Sequence, residues 1–146
     1  MFQSQRGIVA ALFGGKGSAP SRQKGVTTPM RSSLLTIVPL IPSGADFAAG
    51  LAFFVEHMSF KVIWQADGIA GIARDNVAFN LVQNDDQAWA TNASFSIGVS
   101  NLADLYQEYL HLPAKVGPLE VKPWGRREFH VIIPSGVCLQ FYESES

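Results

Sequence analysis

From Leu34 onward the apolar pattern of this chain runs through one order of elements and then repeats it, which restricts the fold to two like modules in tandem. Leu34 to Leu40 is a short apolar run that ends at Pro42 and predicts a strand. Ser43 then opens a helix, with Asp46 three residues later as an imperfect capping box, and Phe47, Leu51, Phe54, Val55 and Met58 fall on one helical face. Three strands follow over Phe60 to Gln65, Ile69 to Arg74 and Val77 to Gln83, separated by Asp67-Gly68 and Asp75-Asn76 turns. After a polar loop, Asn84 to Asn92, the order returns. Ser94 to Ser100 alternates as a strand, Asn101 stands as N-cap, and Leu102, Leu105, Tyr106, Tyr109 and Leu112 line a second helix. Strands over Lys115 to Val121, Glu128 to Ile133 and Val137 to Glu143 complete the second module, and both halves are expected to cap their helices alike. The class is α+β: two β-α-β-β-β modules, about residues 34–83 and 94–143, with helices on one face of a curved mixed sheet and a concave hollow on the other.

Alternation within the strands assigns the two faces. Phe95, Ile97 and Val99 point under the helices, which leaves Ser94, Ser96, Gly98 and Ser100 toward the hollow. By the same count Phe79, Leu81, Phe129 and Val131 are core residues. Ala78, Asn80, Val82, Glu128, His130 and Ile132 face the hollow, and Gln140 shares that side with Tyr142. Small residues on an inner face suit a binding cleft, although a solvated face or a subunit contact would show the same pattern.

Size and charge narrow the classes of function. A chain of 146 residues, 47% apolar and 16% charged, forms one ordinary domain, expected over residues 31–146. Residues 1 to 30 read as a flexible leader that holds Arg6, Lys16, Arg22 and Lys24 and no acid, so the remainder carries 7 basic and 12 acidic residues. An acidic body argues against nucleic acid as partner and favours a cationic small molecule. No apolar run reaches the roughly 18 residues that span a bilayer, so no membrane partner is expected. The one cysteine, Cys138, sits in an apolar strand and reads as a buried thiol in a reducing compartment, the cytoplasm.

Several short segments together carry a family resemblance. They are Val38-Pro39-Leu40, Phe53-Phe54 in the first helix, Met58-Ser59-Phe60, Ala70 to Asp75, Asp104-Leu105-Tyr106, and the turn Pro123-Trp124-Gly125 before the last two strands. Over residues 34 to 143 the chain resembles bleomycin resistance proteins, members of the glyoxalase, bleomycin resistance and extradiol dioxygenase (vicinal oxygen chelate) superfamily. The resemblance implies a homodimer in which modules from two chains pair to form two crevices, and a protein that sequesters its ligand without altering it. It also implies that Trp64 on the second strand and Trp124 in the turn, from different subunits, stack on a flat heteroaromatic ligand. Asp67, Asp85, Asp86 and Glu128 are acids that would draw in a basic tail.

The rival class within that superfamily is a metal-dependent lyase, isomerase or dioxygenase, which the resemblance would equip with inward His or Glu ligands. At those positions this chain has Thr36, Ile37 and Val38, then Ser94 and Ser96, then Gln140. His57 and His111 stand near helix ends, and His130 with Gln140 and Asn80 is a poor set for a divalent ion. No Gly-x-Ser-x-Gly is present, and Gly14-Gly15-Lys16-Gly17 lacks the length and context of a P-loop. The expectation is therefore a ligand-binding site with no catalytic residues, no metal and no cofactor. Its residues are Trp64, Trp124, Ser96, Gly98, Asn80, His130, Gln140 and Tyr142, with Trp89 from the loop between the modules. Ser96 and Gly98 stand where bleomycin binders of the family carry tryptophans, Ile63 replaces an acid before Trp64, and the last turn is Ile133-Pro134-Ser135-Gly136 rather than Asp-Pro-x-Gly.

Overall fold

The computed structural model describes residues 30–144 of the chain, so the expected leader, apart from Met30, lies outside the described residues. The architecture is α+β, with one mixed sheet per module. In the first, β1 (Leu40–Pro42) runs parallel to β4 (Val77–Val82), and β3 (Ile69–Arg74) joins β4 to β2 (Lys61–Ala66) in antiparallel pairs. In the second, β5 (Ser94–Val99) runs parallel to β9 (Cys138–Glu143), and β9 pairs antiparallel with β8 (Arg127–Ile132). The far edge of β8 is covered by two short strands, β6 (Lys115–Val116) and β7 (Glu120–Val121). The repeated order thus appears as two sheets of like topology, β1-β4-β3-β2 and β5-β9-β8-β6.

The helices depart from the expected boundaries in instructive ways. The first, α1 (Phe47–Ala52), is capped by Asp46, whose carboxylate accepts from Ala49 N at 3.0 Å; Ser43 is not the cap, and its hydroxyl donates to Gly44 O. A π-helical turn over Phe53–His57 continues it. That extra residue in the turn buries adjacent Phe53 and Phe54 and leaves Val55, expected on the buried face, 39% exposed. The polar stretch expected as a loop forms a further short helix, α2 (Gln87–Asn92), because Asp86 accepts from Trp89 N at 3.1 Å and supplies its N-cap. The last helix, α3 (Leu102–Tyr109), starts at Asn101 as expected, but Asn101 is left-handed (φ 55°) and makes no side-chain cap. Its backbone carbonyl accepts from Asp104 N and Leu105 N instead. The two modules therefore do not cap their helices alike.

Two strands also differ from expectation. The first begins only at Leu40, because β4 offers a partner to residues 40–42 alone; Leu34, Leu35 and Ile37 are left 103%, 84% and 83% exposed. The single strand expected over Lys115 to Val121 breaks at Gly117-Pro118-Leu119, where Pro118 has no N–H to donate.

One core spans both modules. Phe54, Phe60 and Phe79 pack edge to face or tilted, Phe79 reaches Phe95, and Tyr109, Phe129 and Phe141 continue the cluster under α3. Every strand residue assigned to the core by alternation lies there, with Phe95, Ile97 and Val99 half-buried against it. Arg74 of β3 ties the modules together: its guanidinium donates to both Glu108 carboxylate oxygens on α3, to the Tyr109 hydroxyl and to Met58 O.

Candidate functional site

The residues assigned to the hollow fall into two groups, one on each sheet. On the second sheet, register brings Ser96, Gln140 and His130 into one row across β5, β9 and β8, and Gly98, Tyr142 and Glu128 into the next. Residues in register point to the same face, so these six side-chain positions form one surface. Within it the Ser96 hydroxyl donates to Gln140 Oε1 at 3.3 Å. Gly98 is not an empty place: a side chain there would meet the Tyr142 hydroxyl at 3.0 Å, so the phenol occupies the room that the missing side chain leaves. Cys138, expected as a buried thiol, is half-buried; that burial pushes the thiol up from its ordinary pKa, against hydrogen bonds with Ser94 and Gln140 that pull it down.

Charge in this surface is arranged differently from expectation. Glu128 is 3% exposed and bound by Arg126 Nε at 2.8 Å, and the same guanidinium carbon lies 4.2 Å from the centre of the Tyr142 ring. Glu128 is thus committed to a partner two residues away, and Asp86 is committed to capping α2. Of the four acids expected to draw in a basic tail, Asp67 and Asp85 remain as exposed charges.

Trp124 sits at the tip of the turn that Arg126 anchors. Gly125 N donates to Lys122 O, Lys122 N donates to Arg126 O, and Gly125 takes a positive φ of 87° that favours glycine. Trp124 is 66% exposed, so its indole is not packed into this chain's core.

On the first sheet, Trp64, Gly71 and Asn80 share one row across β2, β3 and β4. A bulge between Val62 and Trp64 sets the tryptophan on this face. Its indole lies on Gly71, and the Asn80 side chain beside it is 3% exposed. Trp89, expected in a loop, stands half-buried on α2.

Two cavities among the described residues, of about 450 and 520 Å³, lie away from most of these positions. The first is at the module junction around Arg74, Glu108 and Tyr109 and shares only Gly98 with the expected site. The second lies beside α1 and the Pro134-Ser135 turn. Among the described residues no group of three or more His, Cys, Asp and Glu converges, and no helix is long and apolar enough to cross a membrane. Gly71, which underlies Trp64, Gly117, which underlies the His130 ring, and Arg126, which lies over Tyr142, were not assigned to the site by sequence, since these contacts cross between strands and alternation alone does not supply the pairing.

No family model matches the chain. It is 24% identical over 129 residues to the bleomycin resistance proteins of Geobacillus stearothermophilus and Staphylococcus aureus, an alignment covering 75% of this chain and 97% of each relative. Among solved structures, it matches the bleomycin-binding protein from bleomycin-producing Streptomyces verticillus, complexed with copper(II)-bleomycin, at 25% identity and a TM-score of 0.70. That match covers 79% of this chain and 100% of the other. The bleomycin resistance determinant encoded on transposon Tn5 matches at 20% identity and 0.68, covering 77% and 100%. A glyoxalase/bleomycin resistance protein/dioxygenase from Nocardioides shares the fold at 14% identity and 0.63, covering 77% and 85%. The repeated modules and these matches agree: the chain is similar in sequence to bleomycin resistance proteins and has the fold that bleomycin-binding and glyoxalase/bleomycin resistance/dioxygenase proteins share.

Proposed function

We propose that this protein binds and sequesters a planar, cationic aromatic compound of the bleomycin type, without altering it and without a metal of its own. The observation that carries this reading is the likeness, over the full length of that chain, to a binding protein solved with copper(II)-bleomycin. The site chemistry agrees with it. Flat aromatic surfaces at Trp64, Trp124 and Tyr142 suit stacking, each contact contributing about 0.5 to 2 kcal/mol. Ser96, Gln140 and His130 supply one hydroxyl, one amide and one imidazole in a row, a donor set suited to hydrogen bonding.

The protein works as a homodimer in the cytoplasm, its first module paired with the second module of a partner copy. The apolar run at Leu34, Leu35 and Ile37, fully or nearly fully exposed in one chain, and the open edge of β5 support a second copy. Pairing would close the two open faces, with Trp64 and Asn80 from one copy opposite Ser96, His130, Gln140 and Tyr142 from the other. Trp124 forms one wall of that crevice and Trp89 stands at its margin. Residues 31–146 act as the domain, and residues 1 to 30 as its leader.

Light scattering together with mass spectrometry of bleomycin recovered after incubation tests this. A dimer that binds bleomycin and releases it at unchanged mass supports sequestration. A modified product, or a monomer that binds nothing, contradicts it.

A further inference from the structure

Trp64 does not stand up from its strand. Building a Cβ on Gly71 would place it against the indole Nε1, 2.5 Å from Cδ1 and 2.7 Å from Cε2, three consecutive atoms of one ring. Contact with all three at once means that the ring's face, and not its edge, covers the glycine. The indole Nε1 is fully buried there and has no hydrogen-bond partner among the described residues. Packing on bare backbone, and not a polar tether, therefore holds the ring. Any side chain on residue 71 would have to lift it. On the other side of Gly71 in the same row stands Asn80, a residue 3% exposed whose amide makes no side-chain hydrogen bond among the described residues and is not among the fully buried polar atoms left without a partner.

We propose that Gly71 is a specificity-determining residue: by letting Trp64 lie flat beside the free amide of Asn80, it builds a subsite for a flat heteroaromatic ring with a hydrogen-bonding edge. This rests on the ligand reading above and adds to it. The ligand ring stacks on the outer face of the indole, and the Asn80 amide, with two donors and an acceptor, meets polar atoms at the ring's edge. A compound equally flat but without an in-plane polar edge leaves that amide unpaired and binds less well.

Gly71→Ala tests the packing in the free protein. In a Trp89→Phe/Trp124→Phe background the emission belongs to Trp64 alone; Gly71→Ala shifts it to the red and raises acrylamide quenching about twofold. Unchanged emission and quenching overturn the proposal. Should Gly71→Ala lower Tm, adding Trp64→Ala removes the clash and restores Tm to that of Trp64→Ala alone; failure of this rescue also overturns it. With bleomycin as probe and all three tryptophans present, Gly71→Ala weakens binding about tenfold in wild type and not at all in Trp64→Ala, and Asn80→Leu weakens it about tenfold. Bleomycin binding that ignores both substitutions overturns the subsite. Wild-type protein that binds no bleomycin overturns the ligand reading and the subsite with it, while the free-protein spectra still decide whether Gly71 holds the indole.

Discussion

Arg126 lies over the ring of Tyr142, its guanidinium carbon 4.2 Å from the ring centre, while its Nε holds the buried carboxylate of Glu128 at 2.8 Å. One side chain thus satisfies a buried charge, stacks on Tyr142 and anchors the turn that carries Trp124. Arg126→Gln leaves Glu128 unpaired in a site where it is 3% exposed. The expected cost is about 2 kcal/mol, less than for a fully buried pair because the Arg126 side chain is itself 36% exposed. Denaturant unfolding measures it, and adding Glu128→Gln recovers most of the loss.

Tyr109 is the second anchor. It is 1% exposed, donates to Met58 O at 2.8 Å and accepts from Arg74 at 2.9 Å. Tyr109→Phe deletes both bonds, while Met58 O still accepts from Arg74 and Arg74 still binds Glu108, so unfolding should show a loss of about 1 kcal/mol.

The same residue makes a pH prediction. Burial pushes the Tyr109 phenol up from 10.0 to about 12, against the opposing pull of Arg74. The folded state therefore holds this proton more tightly than the unfolded one. The stability it contributes is complete below pH 10 and is lost as pH rises through about 12. Thermal unfolding between these limits should fall more gently in Tyr109→Phe than in wild type.

At the start of α1, Asp46→Ala removes the carboxylate that accepts from Ala49 N. The expected destabilisation is about 1 kcal/mol, read as a lower midpoint in urea with an unchanged slope. Ser43→Ala should have a smaller effect, since Ser43 does not cap the helix.

The modular repeat and the two faces of each strand were legible because burial imposes alternation, and Phe79, Phe95, Phe129 and Val131 all follow it. What escaped was fixed by single contacts or by register. Asp86 converts a polar stretch into α2 through one hydrogen bond, with no apolar periodicity to announce it. The π-helical turn at Phe53–His57 displaces Val55 from the buried face by one residue. Leu34 to Val38 reads as a strand in any apolar count, yet a strand needs a neighbour, and β4 offers one only from Leu40. Of the candidate site, Trp64 and Trp124 were visible as aromatics without an obvious core role. That Trp64 rests on Gly71 follows from the bulge at Val62 and the pairing of β2 with β3, neither of which is written in residue types.

The most direct measurement of the central claim is a titration of the protein's tryptophan fluorescence with bleomycin. Saturable quenching with one ligand per chain, reduced at least tenfold in affinity by Trp64→Ala and by Trp124→Ala, is the predicted result. A wild-type signal that bleomycin leaves unchanged, with calorimetry showing no heat of binding, would contradict it.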